Sequence, residues 1–342
     1  MDGTCADDRF ELEDGTLYAI GDTAAPVVNA CASSENASSA AEDTTSLVFF
    51  SAPSYINVEE ATLALFASTG LERLGGASGD RGWSSVSTFQ RCPHLWEATY
   101  LGRKPARKGR DPDGLQIGSL VHTLLAVHYQ ARILPGYPIT PESVREYCLD
   151  QRVDPAIVDE SWRVFVAHRI YYGPEGPGSP KDSQIEPLAV EHRIADPKTG
   201  RSARYDLVVR LPEATMSLSA GTWIFEHKTS GRFDQATLDG WRNDGEILGQ
   251  IDLWETLKLD KRFGKLQGVV VNILGKQKKP EFHRTIVSPL RWQTRDHRRS
   301  MAIWGAEIDR AIATQVFPRA RAHCVGRYGM CPLFDACSED KG

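Results

Sequence analysis

Apolar residues recur at helical spacing from Gln116 to Tyr129, QIGSLVHTLLAVHY, and again in two stretches between residues 141 and 172, which predicts three helices. The period then changes to that of strands over Leu188–Ile194, Ala203–Leu211 and Thr222–Thr229. A helix from about Asp239 to Leu259 and an apolar strand from Leu266 to Leu274 follow. Helix, three strands, helix and strand make a compact α/β unit. EFHRTIVS adds a fifth strand and Pro289–Val316 another helix. Upstream, SVSTFQRCPHLWEATYLGR from Ser85 predicts a Ser/Thr-capped helix. LVFFSAPSYI predicts a strand, and Asn57 caps an amphipathic helix over VEEATLALFASTGLERL.

With 342 residues, 41% of them hydrophobic, the chain can bury one large core or two smaller ones. Its net charge of −5 is unevenly placed: the first 60 residues hold twelve acids and one base, Arg9, which leaves 39 basic and 33 acidic residues beyond them. The expected organisation is an acidic, partly flexible extension over residues 1–80 and a mildly basic functional domain over 81–342. Bases cluster at 103–110, where Arg103, Lys104, Arg107 and Lys108 form a loop that is either solvated or contacts phosphate, and again at 261–265 and 276–284. The acidic start of the chain and the lack of a long apolar run predict a cytoplasmic protein with no membrane partner. Seven cysteines without an export signal leave metal binding or plain burial, and Cys148 reads as core.

The chemistry concentrates in YDLVVRLPEATMSLSAGTWIFEHKTS, residues 205–230. Asp206 opens one strand and Glu226 and Lys228 close the next, so an antiparallel pairing brings all three to one end of the sheet. Carboxylates suit a hard divalent cation such as Mg²⁺ or Mn²⁺, and a lysine beside it can orient or help deprotonate a water and stabilise charge on a phosphorane. The bland alternative is a surface Glu/Lys pair. Strand alternation turns the His227 side chain away, and Glu191 on the preceding strand either supports the site from behind its ligands or, the favoured reading, is simply a strand-end carboxylate. A lone histidine on an apolar helix, as His122 is, becomes a ligand candidate only if other ligand types converge on it.

In order, Gly118-x-x-x-His122, Asp206, Glu226-His227-Lys228 and Gln250-Ile-Asp-Leu-Trp254 resemble the motifs of the PD-(D/E)xK nuclease superfamily, in particular its RecB-like branch. That branch includes CRISPR-adaptation, AddB-type and phage recombination exonucleases. The resemblance implies a restriction-endonuclease-like core with added helices. It implies His122, Asp206 and Glu226 as metal ligands, and Asp206, Glu226 and Lys228 as the catalytic set. Gln250 and Trp254 match the branch's Q-x-x-x-Y motif, associated with DNA contact, with tryptophan in place of tyrosine. The Arg204-Tyr205 pair stands where a small residue is often found, which makes for a tighter approach.

Cys92 upstream and Cys324, Cys331 and Cys337 near the C-terminus are similar in layout to the iron-sulfur members of the branch, which implies a [4Fe-4S] cluster. Structural Zn²⁺ and unrelated buried thiols are the alternatives, and the lack of paired C-x-x-C knuckles weighs against zinc. The implied function is an exonuclease acting on DNA ends or single strands in recombination, repair or phage DNA processing, leaving 5′-phosphate ends. A helicase or recombination partner is implied with it, and the host cytoplasm as its location if the chain is phage-encoded. A catalytically silent DNA-binding or scaffold subunit of the same fold and a zinc-stapled endonuclease are the competing readings.

Overall fold

A computed structural model describes residues 56, 58–68, 81–102, 113–231, 234–326, 329–334 and 337. The basic loop residues Arg103, Lys104, Arg107 and Lys108 lie outside them, as does the strand expected before Asn57. The chain divides into two units, 1–52 and 53–342, and every described residue belongs to the second.

Helices α1 (Val58–Ser68), α2 (Trp83–Arg91), α3 (Pro93–Tyr100), α4 (Asp113–Ile133), α5 (Pro141–Asp150) and α6 (Pro155–Tyr171) precede the sheet. Proline at the first position and a side-chain cap start two of them. The Thr140 hydroxyl accepts from the Ser143 N–H at α5, and the Asp154 carboxylate accepts from the Ala156 N–H at α6. Strands β1 (Glu186–Ala195), β2 (Ser202–Leu211) and β3 (Gly221–Ser230) then form an antiparallel meander. The chain crosses over through α7 (Gln235–Gly240), α8 (Gly245–Leu257) and α9 (Asp260–Phe263) to β4 (Leu266–Gly275), which pairs parallel to β3. Antiparallel β5 (Phe282–Val287) completes the order β1-β2-β3-β4-β5, and α10 (Arg291–Thr314) follows.

Alternating side chains split the core in two. Leu207, Val209, Phe225 and Val270 pack on α1, α4, α5 and α6, whereas Val208, Ile224, Val269 and Val271 pack on α8. The helix expected in the N-terminal extension, α1, thus shares the core of the main body through Val58, Ala61, Leu65 and Phe66. A third cluster joins α2 and α3 to α10 through Val86, Phe89, Trp96, Met301 and Ile308, with Trp96 stacked on Phe317 at 6.1 Å. Helix α8 therefore lies between the sheet and α10, which explains why it is buried nearly all round. Among the described residues no helix is long and apolar enough to cross a membrane.

Candidate functional site

The β1–β2 hairpin sets the register of the site. Asp196 receives the Lys198 N–H and the Thr199 hydroxyl, its own N–H donates to the Arg201 carbonyl, and Gly200 takes a φ of 69°. Counting back along the ladder, where Val190 faces Leu207 and His192 faces Tyr205, puts Glu191 across from Asp206. Glu191 has a φ of 48°, in the left-handed region that side chains with a Cβ avoid. Glu191, read from the sequence as a strand-end carboxylate, instead joins His122 and Asp206 in a group whose ligand atoms all lie within 4.8 Å of one another. The antiparallel setting was the signal that could have revealed it.

On the next strand, Leu207 pairs with Phe225, so Glu226 arrives beside Asp206. The His227 N–H donates to Asp206 Oδ2 at 2.9 Å and fixes that carboxylate. The His227 ring turns to the opposite face, parallel to the Tyr129 ring at 6.2 Å, with its Nδ1 3.0 Å from Asn272 Nδ2. From α4, His122 reaches over with Nδ1 3.5 Å from Asp206 Oδ2. Gly118, one turn earlier, permits that approach, since a Cβ there would stand 2.9 Å from Thr229 Oγ1.

The Lys228 ammonium lies 2.6 Å from Glu226 Oε1 and 2.7 Å from Glu246 Oε2. Glu246, in the first turn of α8, was not singled out from the sequence, where an acid at a helix start reads as a favourable dipole partner. Arg204 pairs with Glu191 at 2.8 Å. Four carboxylates, Glu191, Asp206, Glu226 and Glu246, therefore meet two permanent cations, Arg204 and Lys228.

The electrostatics follow from burial and this surplus. Burial drives Asp206 up to about 6 against the pull of Lys228 and Arg204. Burial, and then Asp206, also raise Glu226. Burial opposes the Lys228 ammonium, but Glu226 and Glu246 outweigh it and hold its proton more firmly than on a free lysine. Burial, helped by Lys228 and Arg204, lowers His122 to about 3, so its imidazole is neutral and able to ligate. A buried, hard-oxygen donor set with two uncompensated negative charges fits a divalent cation.

Gln250 and Trp254, expected at the DNA, are both buried. The Gln250 amide donates to Glu226 Oε2 at 2.7 Å and to the Arg204 carbonyl at 3.2 Å, so it orients a carboxylate of the site. Trp254 is 1% exposed, and its indole N–H donates to Asp260 at 2.6 Å, which leaves no face for a base. Tyr205, whose bulk predicted a crowded approach, turns into the α8 side of the core and donates to the Gln250 carbonyl at 3.0 Å. The four cysteines Cys92, Cys324, Cys331 and Cys337 converge on the wall of one cavity of about 360 Å³, and none is in a disulfide. Cys148 is buried in the helical core, as its sequence setting predicts.

A solved structure from Eubacterium rectale, of a protein named as a candidate exonuclease, is 12% identical, with a TM-score of 0.43, and covers 77% of this chain and 90% of its own. No curated protein matches the sequence. The family model of the PD-(D/E)XK nuclease superfamily matches residues 83–337, three quarters of the chain and the whole of the site just described, and the chain belongs to that superfamily.

Proposed function

We propose that the protein is a metal-dependent deoxyribonuclease that works as an exonuclease on DNA ends or single strands. The observation that carries this reading is the convergence of His122, Glu191 and Asp206 within 4.8 Å, beside a lysine held between Glu226 and Glu246. His122, Glu191, Asp206 and Glu226 would hold Mg²⁺ or Mn²⁺. Such an ion supplies Lewis-acid polarisation of the scissile phosphate. Lys228, firmly protonated, acts as a donor and a fixed positive charge: it orients the attacking water and stabilises charge developing on the phosphate oxygens. It is not the base. Gln250 and the His227 N–H keep Glu226 and Asp206 in place while the charge shifts.

Cys92, Cys324, Cys331 and Cys337 would hold a [4Fe-4S] cluster. What supports a shared group is that all four thiols line one cavity of about 360 Å³. The cluster would supply a structural tie between α3 and the C-terminal segment, supported by the packing of Cys92, Cys331 and Cys337 on Leu95, Ala98 and Leu333. The intact ligand set favours an active enzyme over a silent scaffold.

The test is incubation of anaerobically purified protein with 5′- and 3′-labelled single- and double-stranded DNA and Mn²⁺, comparing wild type with Lys228→Ala and Asp206→Ala. Degradation by wild type alone is expected. Degradation that survives both substitutions would remove the assignment. Colourless protein with stoichiometric zinc would replace the cluster with a zinc staple.

A further inference from the structure

Among the described residues Arg204 alone lines both openings of the carboxylate site. A cavity of about 270 Å³ lies on the α2–α10 side, and Arg81, Arg201, Asp206 and Glu246 also line it. A groove of about 400 Å³ lies on the α1–α4 side, lined by His122, Glu191 and Lys228. Arg204 stands two residues before Asp206 on β2 and so shares its face of the strand. Its backbone is pinned: the Gln250 amide donates to the Arg204 carbonyl, and the neighbouring Tyr205 hydroxyl donates to the Gln250 carbonyl. The half-buried guanidinium pairs with Glu191, Nε to Oε2, at 2.8 Å.

That ion pair competes with a metal. Glu191 belongs to the group whose ligand atoms all lie within 4.8 Å of one another, so a divalent cation there draws on the same carboxylate that the guanidinium engages. The charge balance points the same way. Four carboxylates against Arg204 and Lys228 leave two negative charges in excess, which repel a phosphodiester. A divalent cation cancels them. Arg204 is then no longer bound by an excess of carboxylate charge, and a guanidinium fork fits a phosphate as well as it fits a carboxylate.

We propose that cation binding hands Arg204 from Glu191 to a backbone phosphate of the DNA strand, and that the arginine thereby couples metal binding to DNA binding. The inference rests on the nuclease reading above and adds an order to it. Without the cation Glu191 holds Arg204 and the site repels the strand. With the cation the side chain swings on its fixed backbone to a phosphate of a strand that passes from one opening to the other. Arg204 positions the strand and takes no part in breaking the bond. Linkage makes the effect reciprocal, so DNA tightens the cation by the factor with which the cation tightens DNA.

The experiment compares the full chain with and without Arg204→Met, both carrying Lys228→Ala so that the strand survives, with folding checked by melting. Calorimetry reads Mn²⁺ affinity. Fluorescence polarisation of a labelled single strand reads DNA affinity with and without Mn²⁺. Loss of the competing guanidinium should tighten Mn²⁺ binding at least threefold, whereas an arginine that merely props Glu191 in place gives the opposite sign. DNA affinity should fall at least tenfold with Mn²⁺ present and stay within threefold without it. The salt dependence of binding with Mn²⁺ should flatten by about 0.7 in log–log slope, the share of one phosphate on a single strand.

Mn²⁺ binding that weakens or stays the same, or a DNA affinity that changes equally with and without Mn²⁺, overturns the proposal. Arg204→Gln decides if Arg204→Met does not fold. Degradation of DNA by wild type without these couplings removes the handover and leaves the nuclease. The couplings without degradation by wild type remove the nuclease and keep a cation-coupled DNA site.

Discussion

Replacing Glu191 by glycine should separate the stability of this protein from its metal affinity. The residue holds a φ of 48° in the middle of β1, where a Cβ costs roughly 1–2 kcal/mol. Glycine relieves that strain but adds about 0.5–1 kcal/mol of unfolded-state entropy. The ion pair with Arg204, whose side chain is 34% exposed, contributes about 0–1 kcal/mol and is lost equally in Glu191→Gly and Glu191→Ala. The comparison of the two variants therefore isolates the backbone. Glycine should be the more stable by about 0.7 kcal/mol, the reverse of the usual order inside a strand, or about 2 °C in Tm for a domain of this size. Both variants lose one carboxylate of the metal group, and Mn²⁺ affinity should fall at least tenfold in each. Denaturant unfolding without metal and Mn²⁺ calorimetry provide the two readings. An alanine variant more stable than the glycine variant would refute the strain, and unchanged Mn²⁺ affinity would refute the ligand role.

Trp254→Phe should leave DNA affinity within twofold of wild type in fluorescence polarisation. It should lower unfolding free energy by about 1.5–3 kcal/mol, because the substitution removes a hydrogen bond to the Asp260 carboxylate. A large loss of DNA affinity would restore a stacking role to this ring. Acid sensitivity should reside partly in His168, whose burial lowers it from 6.5 to about 3. The unfolded chain takes that proton first as pH falls, so the stability tied to neutral His168 is complete above pH 6.5 and is lost from there toward pH 3. At about 1.4 kcal/mol per pH unit, the step from pH 7 to pH 5 costs about 2 kcal/mol. Unfolding curves of His168→Gln should lack that increment, and an unchanged pH slope would show that other groups carry it.

Most of the fold was legible because its elements obey simple periods. β2 and β3 alternate between two cores, and α4 and α6 carry apolar residues at helical spacing, so their limits fall within a few residues of those expected. The expected helix from Asp239 to Leu259 proved to be several pieces, since Asp244 caps a fresh start at α8 by accepting from the Glu246 N–H. The site was legible where strand geometry alone places a side chain, as for Asp206, Glu226 and Lys228. Glu191 escaped because its left-handed backbone leaves no trace in an alternation pattern, although the Asp196–Arg201 turn fixes the register that puts it across from Asp206. Trp254 is buried on the sheet side of α8, between Tyr205 of β2 and Phe263 of α9, a packing that one sequence does not announce.

The joining of α2 and α3 to α10 and the C-terminal segment also sets an order of events during synthesis. His122, Glu191, Asp206, Glu226 and Lys228 have all left the ribosome before α10 begins at Arg291. The roughly 110 residues from Lys228 to Cys337 take on the order of 5–20 s to add at about 5–20 residues per second. Throughout that interval the nascent chain holds its carboxylates and lysine without α10 and without three of the four converging cysteines. Completion of the last helix and tail is thus what closes the fold, and a chain stalled before Arg291 lacks the cluster of Val86, Phe89, Trp96, Met301 and Ile308 that holds α2 and α3 in place.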